Sequence, residues 1–239
     1  MSEAERDERR RRAGERAAKF VEDGMVVGLG TGRTADHATR ALAARVAAGL
    51  RIVGVPTSHR TALLASSHGI TVGLPDEHPR LDIAIDGADE VDPQLRLIKG
   101  LGGALLREKI VAAASARFVV VVDDGKLVSR LGEIAPVPVE VLPFGCTPAA
   151  ERLRALGAEV VLREAAAGPF VTDNANCLLD CRFGPLADPE QLESDLQSIP
   201  GVLGTGLFLG MTDTVIVGTV DGIEERPAAP PSPAGAAPR

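Results

Sequence analysis

The chain has 239 residues, 45% of them hydrophobic, with a formal net charge of −7, 3% aromatic residues and three cysteines. That length and apolar content bury one large core or two small ones, while the acidic balance and the scarcity of stacking rings argue against a nucleic-acid partner. No apolar run approaches a membrane span, no hydrophobic leader follows the basic N-terminal run, and an odd number of cysteines without a Cys-x-x-Cys pair suits a reducing, cytoplasmic setting.

A first helix is predicted to about Val21; its run Arg9–Arg12 is interleaved with Glu3, Glu5, Asp7, Glu8 and Glu15 and reads as a solvated face. Strand Met25–Leu29 leads into the loop Gly30-Thr31-Gly32-Arg33 and a helix over Thr34–Ala48. A Gly-x-Gly turn after a first strand suggests a dinucleotide site. Here Arg33 takes the place of the third glycine, and Val53-Gly54-Val55-Pro56 stands where a ribose-binding acid belongs. The loop reads better as a phosphate or hydroxyl cradle, with Thr31 and Thr34 as donors.

Strand Arg51–Val55, helix Ser58–His68, strand Ile70–Gly73 and strand Asp82–Ile85 follow, then an acidic turn, a short return Leu95–Ile98, a helix from Ala104 to Ala114 and strand Phe118–Val122. Alternating helices and near-continuous apolar strands predict a largely parallel sheet covered on both faces. Ligands of such sheets sit at the carboxyl ends of the strands. Thr31, Asp86, Asp89 and Asp123-Asp124-Gly125-Lys126 all follow strand ends, so they converge on one rim.

Past Leu131 the pattern changes. Pro136, Pro138 and Pro143 bracket a short strand; helix Pro148–Leu156, strand Ala158–Leu162, strand Cys177–Phe183, helix Pro189–Ser198 and an extended segment after Gly201 complete a β-α-β-β-α-β order. That order is ferredoxin-like. Strand Thr214–Val220 is expected to return to the first sheet. The expected division is a Rossmann-like unit over 1–131 and 206–225, a ferredoxin-like unit over 132–205, and a disordered Pro/Ala tail over 226–239.

The chemistry concentrates in Asp86-Gly87-Ala88-Asp89-Glu90-Val91-Asp92 and Lys99-Gly100-Leu101-Gly102-Gly103, the latter running straight into the helix that carries Glu108. Nearly every position of that helix is apolar, so it reads as buried rather than amphipathic. A glutamate among Ala104, Leu105, Val111 and Ala112 is costly unless paired or kept for a purpose. Desolvation makes its anion a stronger base than an exposed carboxylate. The glycines clear a path to the backbone, and the first turn of the helix offers unpaired N–H groups and a positive dipole end. Lys99 adds a point charge, so the loop suits a phosphate or a developing enediolate oxygen. The four histidines, at 37, 59, 68 and 78, form no ligand spacing, and the acidic turn does not match a calcium loop. No metal or other cofactor is expected.

Taken together the motifs resemble ribose-5-phosphate isomerase of type A from Val26 to about Val220. The resemblance rests on Gly-Leu-Gly-Thr-Gly-x-Thr-Ala at 28–35, Asp-Gly-Ala-Asp-Glu-Val-Asp at 86–92 and Lys-Gly-x-Gly-Gly-Ala-Leu-Leu-Arg-Glu-Lys at 99–109. Asp-Asp-x-Lys at 123–126, Pro-Val-Glu-Val-Leu-Pro-Phe at 138–144 and Thr-Asp-Asn-x-Asn at 172–176 extend it. It implies interconversion of ribose 5-phosphate and ribulose 5-phosphate through an enediol(ate), without a metal, by a homodimer or homotetramer. Glu108 would be the base, Asp86, Asp89 and Lys99 catalytic groups on the hydroxyl and carbonyl oxygens, and Lys126 a further substrate contact. Thr31, Gly32, Arg33 and Thr34, with Gly87, Ala88, Gly100, Leu101 and Gly102, would line the substrate. Arg33 where the family has serine, Leu101 inside a glycine run and Ala175 in place of a glycine depart from its pattern. Arg33 is expected to face the substrate phosphate. An isomerase of a related sugar phosphate, a non-catalytic sugar-phosphate sensor and a metal-dependent hydrolase are the alternatives.

Overall fold

The computed structural model describes residues 2–166 and 168–228. Helix α1 (Glu3–Ala18) starts at Ser2, whose hydroxyl accepts from the Glu5 N–H while the Glu5 carboxylate accepts from the Ser2 N–H, a reciprocal cap. Strand β1 (Val26–Leu29), helix α2 (Arg33–Ala47), strand β2 (Val53–Pro56), helix α3 (His59–Ser67), strand β3 (Thr71–Val72) and strand β4 (Ile83–Gly87) come next. Two short strands, β5 (Glu90–Val91) and β6 (Leu97–Ile98), precede helix α4 (Leu105–Ala114) and strand β7 (Phe118–Asp123). The predicted elements of this half are all present, with ends moved by a few residues.

The second half holds β8 (Val137–Val141), α5 (Cys146–Ala155), β9 (Glu159–Leu162), the small hairpin β10 (Glu164–Ala165) and β11 (Gly168–Pro169), β12 (Cys177–Arg182) and α6 (Pro189–Gln197). Strands β13 (Val202–Thr205), β14 (Leu207–Phe208), β15 (Thr214–Gly218) and β16 (Ile223–Pro227) close the chain.

The main sheet has the order β16-β15-β7-β4-β1-β2-β3, parallel throughout except for β16. Its strands are buried on both faces because their side chains alternate between two cores. Val27, Leu29, Ile83, Ile85, Val119, Val121 and Ile216 pack with Ala13 and Ala17 of α1 and Ala38 and Leu42 of α2. Ala84, Val120, Val122, Val215 and Val217 pack on the other face with Val111 and Ala112 of α4 and with Phe208. Chain order reverses between β1 and β4, and the crevice beyond their carboxyl ends is where a ligand is expected.

Strands β13-β8-β12-β9 form a second, antiparallel sheet in the ferredoxin-like order, with Leu153 of α5 and Leu196 of α6 in its core. A third, small sheet of β14, β6 and β5 joins the acidic turn to the segment after β13.

Two expectations need correction. The tail expected from Arg226 begins inside β16, where Val215 pairs with Arg226 and Thr214 with Pro227; a polar edge strand carries little hydrophobic signal. The rest of that predicted tail, from 229, lies outside the described residues. Helix α4 is buried on one face only: Leu105, Glu108, Val111 and Ala112 face inward, while Ile110 is half exposed. Polarity and burial are exchanged there, with the charge inside and an aliphatic side chain outside. Among the described residues no helix is long and apolar enough to cross a membrane. All three cysteines are free, and Cys181 packs in the second core.

Candidate active site

The β1–α2 loop and the end of β4 meet across the switch point. Asp86, the fourth residue of β4, accepts from the Thr31 N–H at 3.1 Å and the Gly87 N–H at 2.7 Å through one oxygen. Gly30 is required for this approach, since a Cβ there would lie 2.1 Å from Asp86 Oδ1. The other Asp86 oxygen lies 3.0 Å from Lys99 Nζ, and Glu108 Oε2 lies 3.3 Å from the same nitrogen. Lys99 also donates to the Gly87 carbonyl and sits over the Phe208 ring. Asp86, Lys99 and Glu108 are each no more than 3% exposed.

Three buried ionisable groups in contact cannot all behave ordinarily. Burial raises Glu108 most, the neighbouring Asp86 charge adds to it, and Lys99 opposes both; the result is a carboxyl pushed up to about 8. Burial likewise raises Asp86 against the pull of Lys99. Burial works against the ammonium of Lys99, yet the carboxylates of Asp86 and Glu108 carry it above the usual lysine range. Glu108 Oε2, the oxygen nearest Lys99, is buried and makes no bond of hydrogen-bond geometry.

The Gly100–Gly103 loop before α4 is fixed from outside. Asp89 accepts from the Leu101 N–H at 2.9 Å, Arg163 donates to the carbonyls of Gly100 and Leu101, and Phe170 packs where Gly103 would otherwise carry a Cβ. Gly103 has φ +83°, in the left-handed region that glycine enters freely. Helix α4 has no side-chain cap on its first N–H groups, and its residue Glu108 lines the cleft.

The cleft brings together Thr31, Gly32, Arg33, Thr34, Gly87, Ala88, Asp89, Lys99, Gly100, Gly102, Glu108 and Lys126. Leu101 is expected there from the sequence but turns away, its side chain exposed and only its N–H tied to Asp89. Thr31 contributes less than expected, because its hydroxyl lies within 3.1 Å of those of Thr57, Ser58 and Thr61. Arg33 does not point into the cleft as a free cation; its guanidinium is paired with Glu3 and the side chain is largely exposed. Of the carboxylates in the acidic turn only Asp89 lines the cleft; Asp86, expected there from the sequence, is buried and bonded to Lys99 and to two backbone N–H groups. Glu90 is buried and accepts from the N–H groups of Gly132, Ile134 and Ala135, while Asp92 accepts from Gln94 and Arg96.

One residue was missed. Arg10 lines the cleft and is 3% exposed, its Nε bound at 2.9 Å to buried Asp123. The run Arg9–Arg12 hides it: Arg11 and Arg12 do form surface pairs with Glu8, as the charge pattern implies, while Arg9 and Arg10 turn inward to Asp124 and Asp123. Helical phase against the apolar Ala13 and Ala17 would have flagged Arg10, which precedes them by three and seven residues on the same face.

A buried acid and lysine beside backbone N–H groups, at the switch point of a Rossmann-like sheet, define an α/β enzyme that works by moving protons. Residues 53–222 match the family described as Ribose 5-phosphate isomerase A (phosphoriboisomerase A). The Ribose-5-phosphate isomerase A of Roseiflexus castenholzii is 58% identical over 90% of this chain and 94% of its own, and that of Gloeobacter violaceus 57% identical over 89% and 93%. A D-ribose-5-phosphate isomerase solved with phospho-erythronic acid superposes with a TM-score of 0.91 at 42% identity, covering 95% of this chain and 100% of that one. The chain belongs to the ribose-5-phosphate isomerase A family.

Proposed function

We infer that this protein interconverts ribose 5-phosphate and ribulose 5-phosphate, with Glu108 as the base. The observation that carries the role is the Glu108 carboxyl, buried against Asp86 and Lys99 and raised to about 8, close to the pH at which a general base is most effective. In the open-chain aldehyde Glu108 takes the proton from C2, and the electron pair moves onto the carbonyl oxygen at C1. Lys99 and the first N–H groups of α4 meet the resulting charge. Glu108 then returns the proton to C1, and transfer of the hydroxyl proton from O2 to O1 completes the ketose. Asp86 and Asp89 hold Lys99 and the loop in register and accept from the sugar hydroxyls.

The phosphate end belongs at the opposite side of the cleft, where Arg10, Arg33 and Lys126 gather positive charge beside the N-terminus of α2. The relative solved with phospho-erythronic acid supports this reading: that ligand carries a phosphate and, in place of an enediolate, a carboxylate. The chemistry is assigned to residues 1–131 and 206–225, with 132–205 supplying the wall formed by Arg163 and Phe170. A homodimer or homotetramer in a reducing, cytoplasmic setting completes the reading; light scattering on the purified protein reads the assembly.

Proton NMR with ribose 5-phosphate in D2O tests the function directly. Ribulose 5-phosphate should appear, with deuterium incorporated at the migrating carbon position. Binding without exchange or product would leave a sugar-phosphate sensor instead.

A further inference from the structure

Helix α1 brings its first turn to the mouth of the cleft, and the first residue of that turn reaches two of the cations that line it. Glu3 Oε1 accepts from Arg10 Nη1 at 2.9 Å and from Arg33 Nη1 at 2.5 Å. The bond from Arg10 above all, and the charges of Arg10, Arg33 and Arg6, hold the Glu3 carboxyl below its usual range, so it is an anion at neutral pH. The three groups differ in freedom. Arg10 is buried and fixed by Asp123, whereas the side chains of Arg33 and Glu3 are 67% and 60% exposed.

A carboxylate shared by two guanidiniums occupies the place, and satisfies the donors, that a phosphate ester would take. Arg33 is the first residue of α2, whose N-terminus also favours an anion. We propose that Glu3 is a built-in competitor for the substrate phosphate: it bridges Arg10 and Arg33 in the empty enzyme and gives up both when the phosphate enters. Arg10 keeps its bond to Asp123 and needs only to exchange one acceptor for another, while Arg33 swings from the rim onto the ligand. Glu3 thereby sets how tightly phosphorylated sugars bind, at a distance from the reacting carbons. This rests on the reading of the cleft as a phosphate-ester site.

Because phosphate is held in both ground and transition states, the competition acts on KM more than on kcat. An exposed ion pair of this kind corresponds to about a two- to fivefold change in affinity. The experiment compares Glu3→Gln in the parent and in an Arg33→Ser background, with Glu15→Gln as a control that removes the same charge elsewhere on α1. Calorimetry with inorganic phosphate gives affinity independently of turnover, and steady-state kinetics with ribose 5-phosphate give KM and kcat.

Glu3→Gln should tighten inorganic phosphate and lower KM by similar factors of about two to five, and the gain should shrink when Arg33 is serine. Unchanged or weaker phosphate binding in Glu3→Gln overturns the proposal, as does an equal gain from Glu15→Gln, which would make the effect one of net charge. A parent that binds no phosphate overturns it too. Phosphate binding that responds to Glu3→Gln in a protein that turns over no ribose 5-phosphate would support the competitor and overturn the isomerase.

Discussion

Replacing Glu108 by glutamine separates what the buried carboxyl does for chemistry from what it costs the fold. The amide keeps the shape but cannot take a proton. Loss of a positioned base lowers kcat by ~10²–10⁴-fold, with KM within a few fold because the cleft is intact. The parent should show the base in its pH profile. With Glu108 at about 8, kcat/KM should rise with pH through the neutral range and level off above about 8. Stability moves the other way. A carboxyl raised from 4.5 to about 8 by folding contributes fully while it is protonated in both states, below the lower value, and the contribution is lost as pH climbs through the upper one. The loss is on the order of 5 kcal/mol at about 1.4 kcal/mol per pH unit. Glu108→Gln should therefore melt above the parent at pH 9 and converge with it near pH 5. Thermal melts and initial rates across that range read both arms. Activity within a few fold of the parent, or a parent profile already flat by pH 6, would refute the assignment of the base.

Turnover should survive exhaustive dialysis against EDTA, since Lys99 and the α4 N-terminus already supply positive potential at the developing oxyanion; activity lost to chelation and restored by a divalent ion would return the acidic turn to a metal role. Gly30→Ala should abolish activity and lower the melting temperature, because the new Cβ would stand 2.1 Å from Asp86 Oδ1; a variant with normal kcat would contradict that close approach. Glu140 is fully buried and accepts from Thr172, Asn174 and Asn176 through one oxygen, with the other oxygen unpaired. Glu140→Ala strands two buried donors and a third that is partly buried and should cost about 3–5 kcal/mol, whereas Glu140→Gln keeps the acceptor and should cost under about 1.5 kcal/mol; equal losses in denaturant titration would show that the charge itself matters.

The main sheet was legible because its strands carry the strongest signal a sequence offers. Phe118–Val122 is apolar at every position, and all of it is buried between two layers. The cluster of Asp86, Lys99 and Glu108 was legible for the opposite reason, as charges placed where burial forbids them without partners. What escaped was decided by long-range pairing. Nothing near Arg10 in the chain announces Asp123, a partner 113 residues away. Arg33 was expected at the phosphate and is held by Glu3, 30 residues before it. Strand β16, with the sequence Ile-Glu-Glu-Arg-Pro, has no apolar alternation and is a strand only because β15 offers it an edge. Ala175, expected from the family resemblance to replace a glycine, adopts the left-handed conformation, φ +61°, a shape that its side chain does not favour.

The parallel pairing of β7 with β15 has a consequence for how the molecule is made. Val119 lies beside Thr214, so the most apolar strand of the sheet must wait some 95 residues for one of its two neighbours. At the usual pace of a ribosome that is roughly 5–20 s during which β7 presents an open, sticky edge. The ferredoxin-like sheet emerges in the interval and completes its own core, with no strand to lend to that edge. The nascent chain therefore passes through a half-built sheet whose exposed border is Phe-Val-Val-Val-Val, the kind of segment that captures other chains.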